Sequence, residues 1–314
     1  MQISDKPFFN NIIIMHWMFV VSLIKTLRPY QWYKNLLLFV GLIFSYNLTN
    51  SDYFIKTLLG FVFFCLMSGS IYILNDVVDR KKDRLHPIKS KRPVASGELS
   101  VNFAVIVMIL LYVGCPLASY FLINGSFSLI LVIYFIIFVL YTFLLKYMVL
   151  VDAFTIGAGF VLRAIAGITS VEGARMSWWL IICTLLLALF LAFGKRRSEM
   201  VEMGGRKAGE YRRVYKGYSV EMLNHFITIT ACATIVVYCL YSALAPHNGM
   251  VLTIPFVVFG VFRYLQLMHI RNMGAEPEKV FSDGYMVTVM ALWICTVFFV
   301  LYGKVDIVLD FIKF

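Results

Sequence analysis

Nine apolar stretches set the terms on which this chain can fold. They lie at roughly 35–49, 53–75, 100–123, 126–146, 149–170, 177–194, 219–244, 250–270 and 284–303. Most approach the ~20 residues a helix needs to cross a bilayer, where each backbone N–H and C=O must be satisfied within its own segment. Of the 314 residues, 61% are apolar and 14% are charged. A soluble domain carries roughly 45–50% and about 25%. Such a chain cannot clothe itself in polar surface. A soluble enzyme, a disordered protein and a nucleic-acid-binding domain are excluded. The expectation is an all-α, multi-pass membrane protein with nine transmembrane helices.

The charges orient those helices. Two stretches, 76–99 and 195–218, hold seven and eight of the 28 Lys and Arg residues, and the formal net charge is +11. Four apolar stretches separate them, so both fall on one face, which the positive-inside rule makes cytoplasmic. That places the protein in the cell inner (plasma) membrane with any site built from these loops facing the cytoplasm. The apolar run Ile12–Ile24 is too short to span and has no small-residue cleavage site after it, so residues 1–27 read as an N-terminal interfacial segment. No soluble appendage is visible, and 1–314 reads as a single integral membrane domain. The six cysteines stand singly in apolar stretches and the five histidines are scattered. Neither set suggests a disulfide framework or a histidine-ligated metal.

The sharpest local feature is Asn75-Asp76-Val77-Val78-Asp79-Arg80-Lys81-Lys82-Asp83. On a continued helix, Asp76, Asp79 and Asp83 share one face. Three carboxylates at a helix C-terminus repel one another and oppose the helix dipole. A hard divalent cation would offset that cost, and Mg²⁺ favours a few carboxylates together with substrate phosphate oxygens. The other reading is a solvated helix end with Asp–Lys pairs.

This NDxxDxxxD pattern resembles that of the UbiA superfamily of intramembrane prenyltransferases. Further segments are similar to one branch, the decaprenyl-phosphate phosphoribosyltransferases: Arg28-Pro29-Tyr30-Gln31-Trp32-Tyr33-Lys34-Asn35, Lys91-Arg92-Pro93-Val94-Ala95-Ser96-Gly97, Leu162-Arg163-Ala164-Ile165-Ala166-Gly167, Gly194-Lys195-Arg196-Arg197-Ser198-Glu199 and Glu276-Pro277-Glu278. The resemblance covers roughly residues 25–303, with the motifs in order. It implies helices around a central cavity open to the cytoplasm. It also implies transfer of 5-phosphoribose from 5-phosphoribosyl diphosphate (PRPP) to a polyprenyl phosphate, releasing pyrophosphate. The product would be a lipid-linked pentose (arabinose) donor for cell-wall arabinogalactan biosynthesis. Asp76, Asp79 and Asp83 would hold Mg²⁺ and carry the catalysis.

The second charged stretch separates the enzyme readings. Aromatic prenyltransferases of quinone or haem synthesis, the alternative, carry a second Asp-rich motif here; this chain has Lys195-Arg196-Arg197-Ser198-Glu199. Cations cannot chelate a metal, but they bind phosphate directly, Arg in a bidentate manner. The same run also suits an ordinary helix flank. Candidate substrate-binding residues are Lys34, Asn75, Arg92, Tyr141, Lys146, Arg163, Lys195, Arg196 and Glu199. Tyr141 and Lys146 suit interfacial anchoring equally well. Arg163 lies inside an apolar stretch, where a charge normally faces a polar cavity. Glu276, Glu278 and Asp283 could close over the ribose hydroxyls, support the basic cluster or form plain solvated loop, and homo-oligomerisation is left open. A lipid-phosphate carrier without catalysis is the remaining class, and an acidic triad at the membrane surface argues against it.

Overall fold

The computed structural model describes residues 19–86, 88–174, 177–204, 213–244 and 248–303; residues 1–18 of the expected interfacial segment and 205–212 of the second charged stretch lie outside them. Every regular element among the described residues is helical. Eight helices carry the fold: α1 Ser51–Val78, α2 Val101–Leu122, α3 Gly125–Phe143, α4 Val151–Thr169, α5 Trp178–Glu202, α6 Val220–Leu244, α7 Ile254–Arg271 and α8 Gly284–Tyr302. A 3₁₀ turn over Asn248–Thr253 leads into α7. With that turn counted, all eight are long and apolar enough to cross a membrane. The chain is a multi-pass membrane protein.

Helix starts follow local chemistry. Asn50 accepts hydrogen bonds from the N–H groups of Asp52 and Tyr53, Ser100 from Phe103, Asn124 from Phe127 and Asp283 from Met286. Each cap satisfies N–H groups that the first turn leaves without partners.

Two expectations change. The stretch 35–49 is no long helix: Pro29–Leu38 forms a 3₁₀ helix and Phe39–Phe44 a short α-helix. The chain then turns at Ser45-Tyr46-Asn47, with Tyr46 at φ 60° and Asn47 donating to the Ser45 carbonyl at 2.8 Å. The polar run from Ser45 to Asn50 makes a turn and a cap instead of more helix. This segment lies directly on α4: a Cβ on Gly167 would sit 1.9 Å from the Leu38 carbonyl oxygen, and one on Gly41 2.5 Å from the Gly167 carbonyl carbon. Only glycine permits that approach. The second change is at 195–202, expected as loop, which continues α5 to Glu202.

Two apolar cores form. One gathers Phe64, Phe127, Leu131, Tyr134 and Leu38 between α1, α3, α4 and the 3₁₀ segment. The other gathers Leu189, Phe190, Phe193, Leu223, Ile227 and Tyr264 between α5, α6 and α7. Side-chain bonds then draw one set of helix ends together. Lys146 after α3 meets Asp79 after α1, Asp152 at the start of α4 meets Arg196 on α5, and Asn272 after α7 meets Glu202. Both charged stretches therefore lie at the same end of the bundle.

Candidate active site

The acidic half begins where α1 stops. Asp79 is the C-cap of α1, with φ −86° and ψ 3°, and a short helix restarts at Arg80. This break alters the expected single face of carboxylates. Asp76 and Asp83 both accept from Nη1 of Arg92, at 3.1 and 2.7 Å, whereas Asp79 faces Lys146 Nζ at 3.4 Å. Asp76 also pairs with Arg28. Among the described residues, no three His, Cys, Asp or Glu side chains gather into a metal-binding group. The three aspartates are instead held by cations, and Arg92 bridges two of them. Asn75, one residue earlier, accepts from the Thr142 hydroxyl at 2.9 Å and ties α1 to α3.

Arg28 opens the segment Arg28–Asn35, whose pattern alone gives it no role. Its backbone is left-handed, φ 53° and ψ 63°, directly before Pro29. An L-residue there costs roughly 1–2 kcal/mol, and a following proline favours extended backbone instead. The pairing with Asp76 and the position of the guanidinium 4.7 Å over the Tyr72 ring hold it in place.

The basic half divides into exposed and buried charge. Lys195 leaves 44% of its side chain exposed and stands 3.9 Å from Glu199. Arg196 is 2% exposed and donates from Nε to Asp152 Oδ2 at 2.7 Å. The other Asp152 oxygen accepts from the Tyr218 hydroxyl at 2.9 Å, and that hydroxyl accepts from the Leu150 N–H at 2.7 Å. Burial and the adjacent Asp152 carboxylate hold the Tyr218 phenol well above its ordinary pKa. Arg196 is thus a buried cation held by Asp152, in contrast to the exposed Lys195 beside it. Tyr141 stands on α3 with its ring centre 6.0 Å from that of Phe138. Glu199 accepts from the Tyr215 hydroxyl and stands 3.6 Å from Arg196 Nη1.

Arg163 has its nitrogens engaged by neutral groups: Asn35 Oδ1 at 2.7 Å, the Gly159 carbonyl at 2.8 Å and the Tyr134 hydroxyl at 2.6 Å. Its side chain ties α4 to the 3₁₀ segment. Lys34 forms no ion pair among the described residues; it hydrogen-bonds Gln31. Burial, together with the nearby charges of Lys195, Arg163 and Arg28, lowers its ammonium pKa to about 8, with Glu278 acting the other way. Lys34 therefore lies between the acidic half, through Arg28, and the basic half, through Lys195. A site that concentrates uncompensated positive charge beside paired carboxylates is built to receive an anion.

The 3₁₀ turns after α7 close on the same end. A Cβ on Gly274 would lie 2.8 Å from the Gly194 carbonyl oxygen, and Phe281 meets the Tyr33 ring edge-on at 6.2 Å.

A bundle of apolar helices with phosphate-oriented charge gathered at one end defines an intramembrane protein acting on anionic substrates. More particularly, the chain belongs to the UbiA prenyltransferase family, whose sequence model matches residues 35–290. It is 30% identical to the decaprenyl-phosphate phosphoribosyltransferase of Mycolicibacterium smegmatis, across 88% of this chain and 92% of that protein. It is 28% identical to the decaprenyl-phosphate phosphoribosyltransferase of Corynebacterium glutamicum, across 90% and 87%. The fold matches that of a UbiA homolog from Archaeoglobus fulgidus bound to DMAPP and Mg²⁺, with TM-score 0.67 and 21% identity over 89% of this chain and 99% of that one.

Proposed function

We propose that this chain transfers 5-phosphoribose from PRPP to a polyprenyl (decaprenyl-type) phosphate and releases pyrophosphate, at the cytoplasmic face of the inner membrane. One observation carries the reading. The site pairs an acidic half, Asp76, Asp79 and Asp83, with Lys34 and Lys195 on the other side, where a second acidic motif would be needed to hold a prenyl diphosphate through metal ions. Two phosphorylated substrates suit one carboxylate cluster and one pair of lysines, Lys34 bonded only to the neutral Gln31 and Lys195 loosely paired with Glu199. The names of the Mycolicibacterium and Corynebacterium relatives support phosphoribosyl as the group transferred and decaprenyl phosphate as its acceptor.

The all-oxygen donors Asp76 and Asp83 suit a hard cation, and Mg²⁺ needs only one or two protein carboxylates beside substrate phosphates. Arg92 already places positive charge at a point both carboxylates face. Asp76 and Asp83 would hold Mg²⁺, with Asp79 recruited from Lys146. Bound there, the ion supplies neutralising charge for pyrophosphate. The acceptor phosphate is anionic at neutral pH, so no general base is required. Its oxygen forms a bond to C1 of the ribose as the bond from C1 to the diphosphate breaks. Lys34 and Lys195 position phosphates, while Arg28 and Arg92 are placed to follow negative charge onto the leaving group.

The test is a divided incubation of purified protein and Mg²⁺. One mixture holds ribose-labelled PRPP and polyprenyl phosphate; the other holds labelled prenyl diphosphate and 4-hydroxybenzoate. Lipid-soluble label is expected in the first only. A prenylated aromatic product in the second would replace this reading with the aromatic prenyltransferase.

A further inference from the structure

The Tyr264 hydroxyl is buried and has no hydrogen-bond partner among the described residues, and Tyr264 as a whole is 6% exposed. Buried hydroxyls are nearly always bonded, and an orphan points to a group that binds there. This one lies beside α5: a Cβ on Gly194, the residue before Lys195, would be 3.9 Å from it. Across from it, Tyr33 meets Phe281 of the 3₁₀ turn Pro277–Ser282, which carries Glu278. Lys34 Nζ stands 5.7 Å from the centre of the Tyr33 ring. The charge of Glu278 acts on Tyr33, Lys34 and Tyr264 together. Among the described residues, Glu278 itself makes no ion pair or hydrogen bond. The orphan phenol of Tyr264, Tyr33 and the turn that carries Glu278 thus stand at the end of the bundle that holds Lys34 and Lys195, and none of them is needed for the metal or the leaving group.

We propose that Glu278, with Tyr264 and Tyr33, forms the subsite that grips the ribose hydroxyls of the donor, and that Lys34 and Lys195 flank it to take the sugar's phosphate. The assignment rests on the donor reading above and deepens it. A carboxylate accepts from two neighbouring hydroxyls at once, and a phenol can donate or accept. The same groups reject an isoprenoid tail, which would bury Glu278 and the Tyr264 hydroxyl against hydrocarbon with nothing to bond. Selection of a pentose over a prenyl chain therefore comes from the loop after α7 as well as from the basic residues of α5.

The experiment uses the detergent-solubilised full chain and three probes: ribose 5-phosphate, 2-deoxyribose 5-phosphate, and pyrophosphate with Mg²⁺. The wild type is expected to bind ribose 5-phosphate roughly tenfold or more tighter than the deoxy sugar, the worth of a charge-assisted hydrogen bond. Glu278→Gln should abolish that preference, and Tyr264→Phe should weaken ribose 5-phosphate several-fold. Both should bind pyrophosphate as the wild type does, which also reports that they are folded. If the wild type transfers phosphoribose while both variants keep their affinities for ribose 5-phosphate and PRPP within twofold, the subsite is wrong and the donor reading stands. A wild type that ignores ribose 5-phosphate and forms no labelled lipid overturns both. Loss of pyrophosphate binding in Glu278→Gln alone leaves Tyr264→Phe to decide: a wild-type response there overturns the subsite.

Discussion

Arg196 donates from Nε to Asp152 at 2.7 Å, with both side chains almost wholly buried, which joins α5 to the start of α4. Two ions out of water are tolerated when each satisfies the other, and removing one strands its partner at a cost of about 3–5 kcal/mol. Arg196→Met is therefore expected to lower thermal stability sharply and to reduce the yield of folded protein. A double variant, Arg196→Met with Asp152→Leu, should recover much of the loss. Unfolding of the two variants in detergent, followed in parallel, checks this. Equal stability of Arg196→Met and wild type would show that the pair contributes nothing.

Its neighbour should behave in the opposite way. Lys195 is half exposed and only loosely paired. Lys195→Met should leave the melting temperature unchanged and raise the KM of one phosphorylated substrate. A charge-assisted phosphate contact contributes about 1.5–3 kcal/mol, roughly a tenfold to more than hundredfold change. Steady-state kinetics for donor and acceptor in turn identify which phosphate Lys195 meets.

The contrast between these adjacent residues shows what could be read from the sequence. The apolar stretches, the asymmetry of charge and the order of the motifs were enough for the fold class and the family. They also brought Asp76, Asp83, Arg92, Lys34 and Lys195 forward together. Pairing was not legible. Arg196 meets a carboxylate 44 residues away, and nothing in a run of Lys-Arg-Arg distinguishes the inward residue from the outward one except helical register. That register was hidden because the polar composition of 195–202 suggested loop. Arg28 stood in a motif without a role, since its left-handed backbone and its Asp76 contact are tertiary facts. The placement of Pro29–Phe44 was equally hidden: the segment lies against Gly167, a contact outside its own sequence.

Gly167 tests that last point. A methyl group there would stand 1.9 Å from the Leu38 carbonyl oxygen, far inside van der Waals contact, and backbone on both sides cannot yield cheaply. Gly167→Ala should displace the Pro29–Phe44 segment, lower stability, and weaken substrate binding because Lys34 moves with it. Protease sensitivity between 28 and 50, compared with the wild type, is the direct measurement.

Asp283 gives a pH test. The Arg263 guanidinium, bonded to it at 2.7 Å, holds its carboxyl below the usual carboxylate range, aided by the Met286 N–H. A depressed folded-state pKa gives stability that is present above the unfolded value, about 3.9, and lost as pH falls through the folded one. The difference in melting temperature between wild type and Asp283→Asn should be constant from about pH 8 to 5 and shrink only below about pH 4. A gap that closes near neutrality would contradict the pairing.

The central claim is that one bond, from C1 of the ribose to diphosphate, is exchanged for a bond to a lipid phosphate. The most direct measurement counts both products of purified protein: pyrophosphate released and phosphoribosyl lipid formed from PRPP. The account expects equal amounts, formed only when polyprenyl phosphate is present. Both should vanish with EDTA, and both should fall together in Asp79→Asn even at saturating substrate, because the leaving group loses its neutralising charge. Pyrophosphate released without polyprenyl phosphate, or lipid product formed undiminished in EDTA, would contradict it.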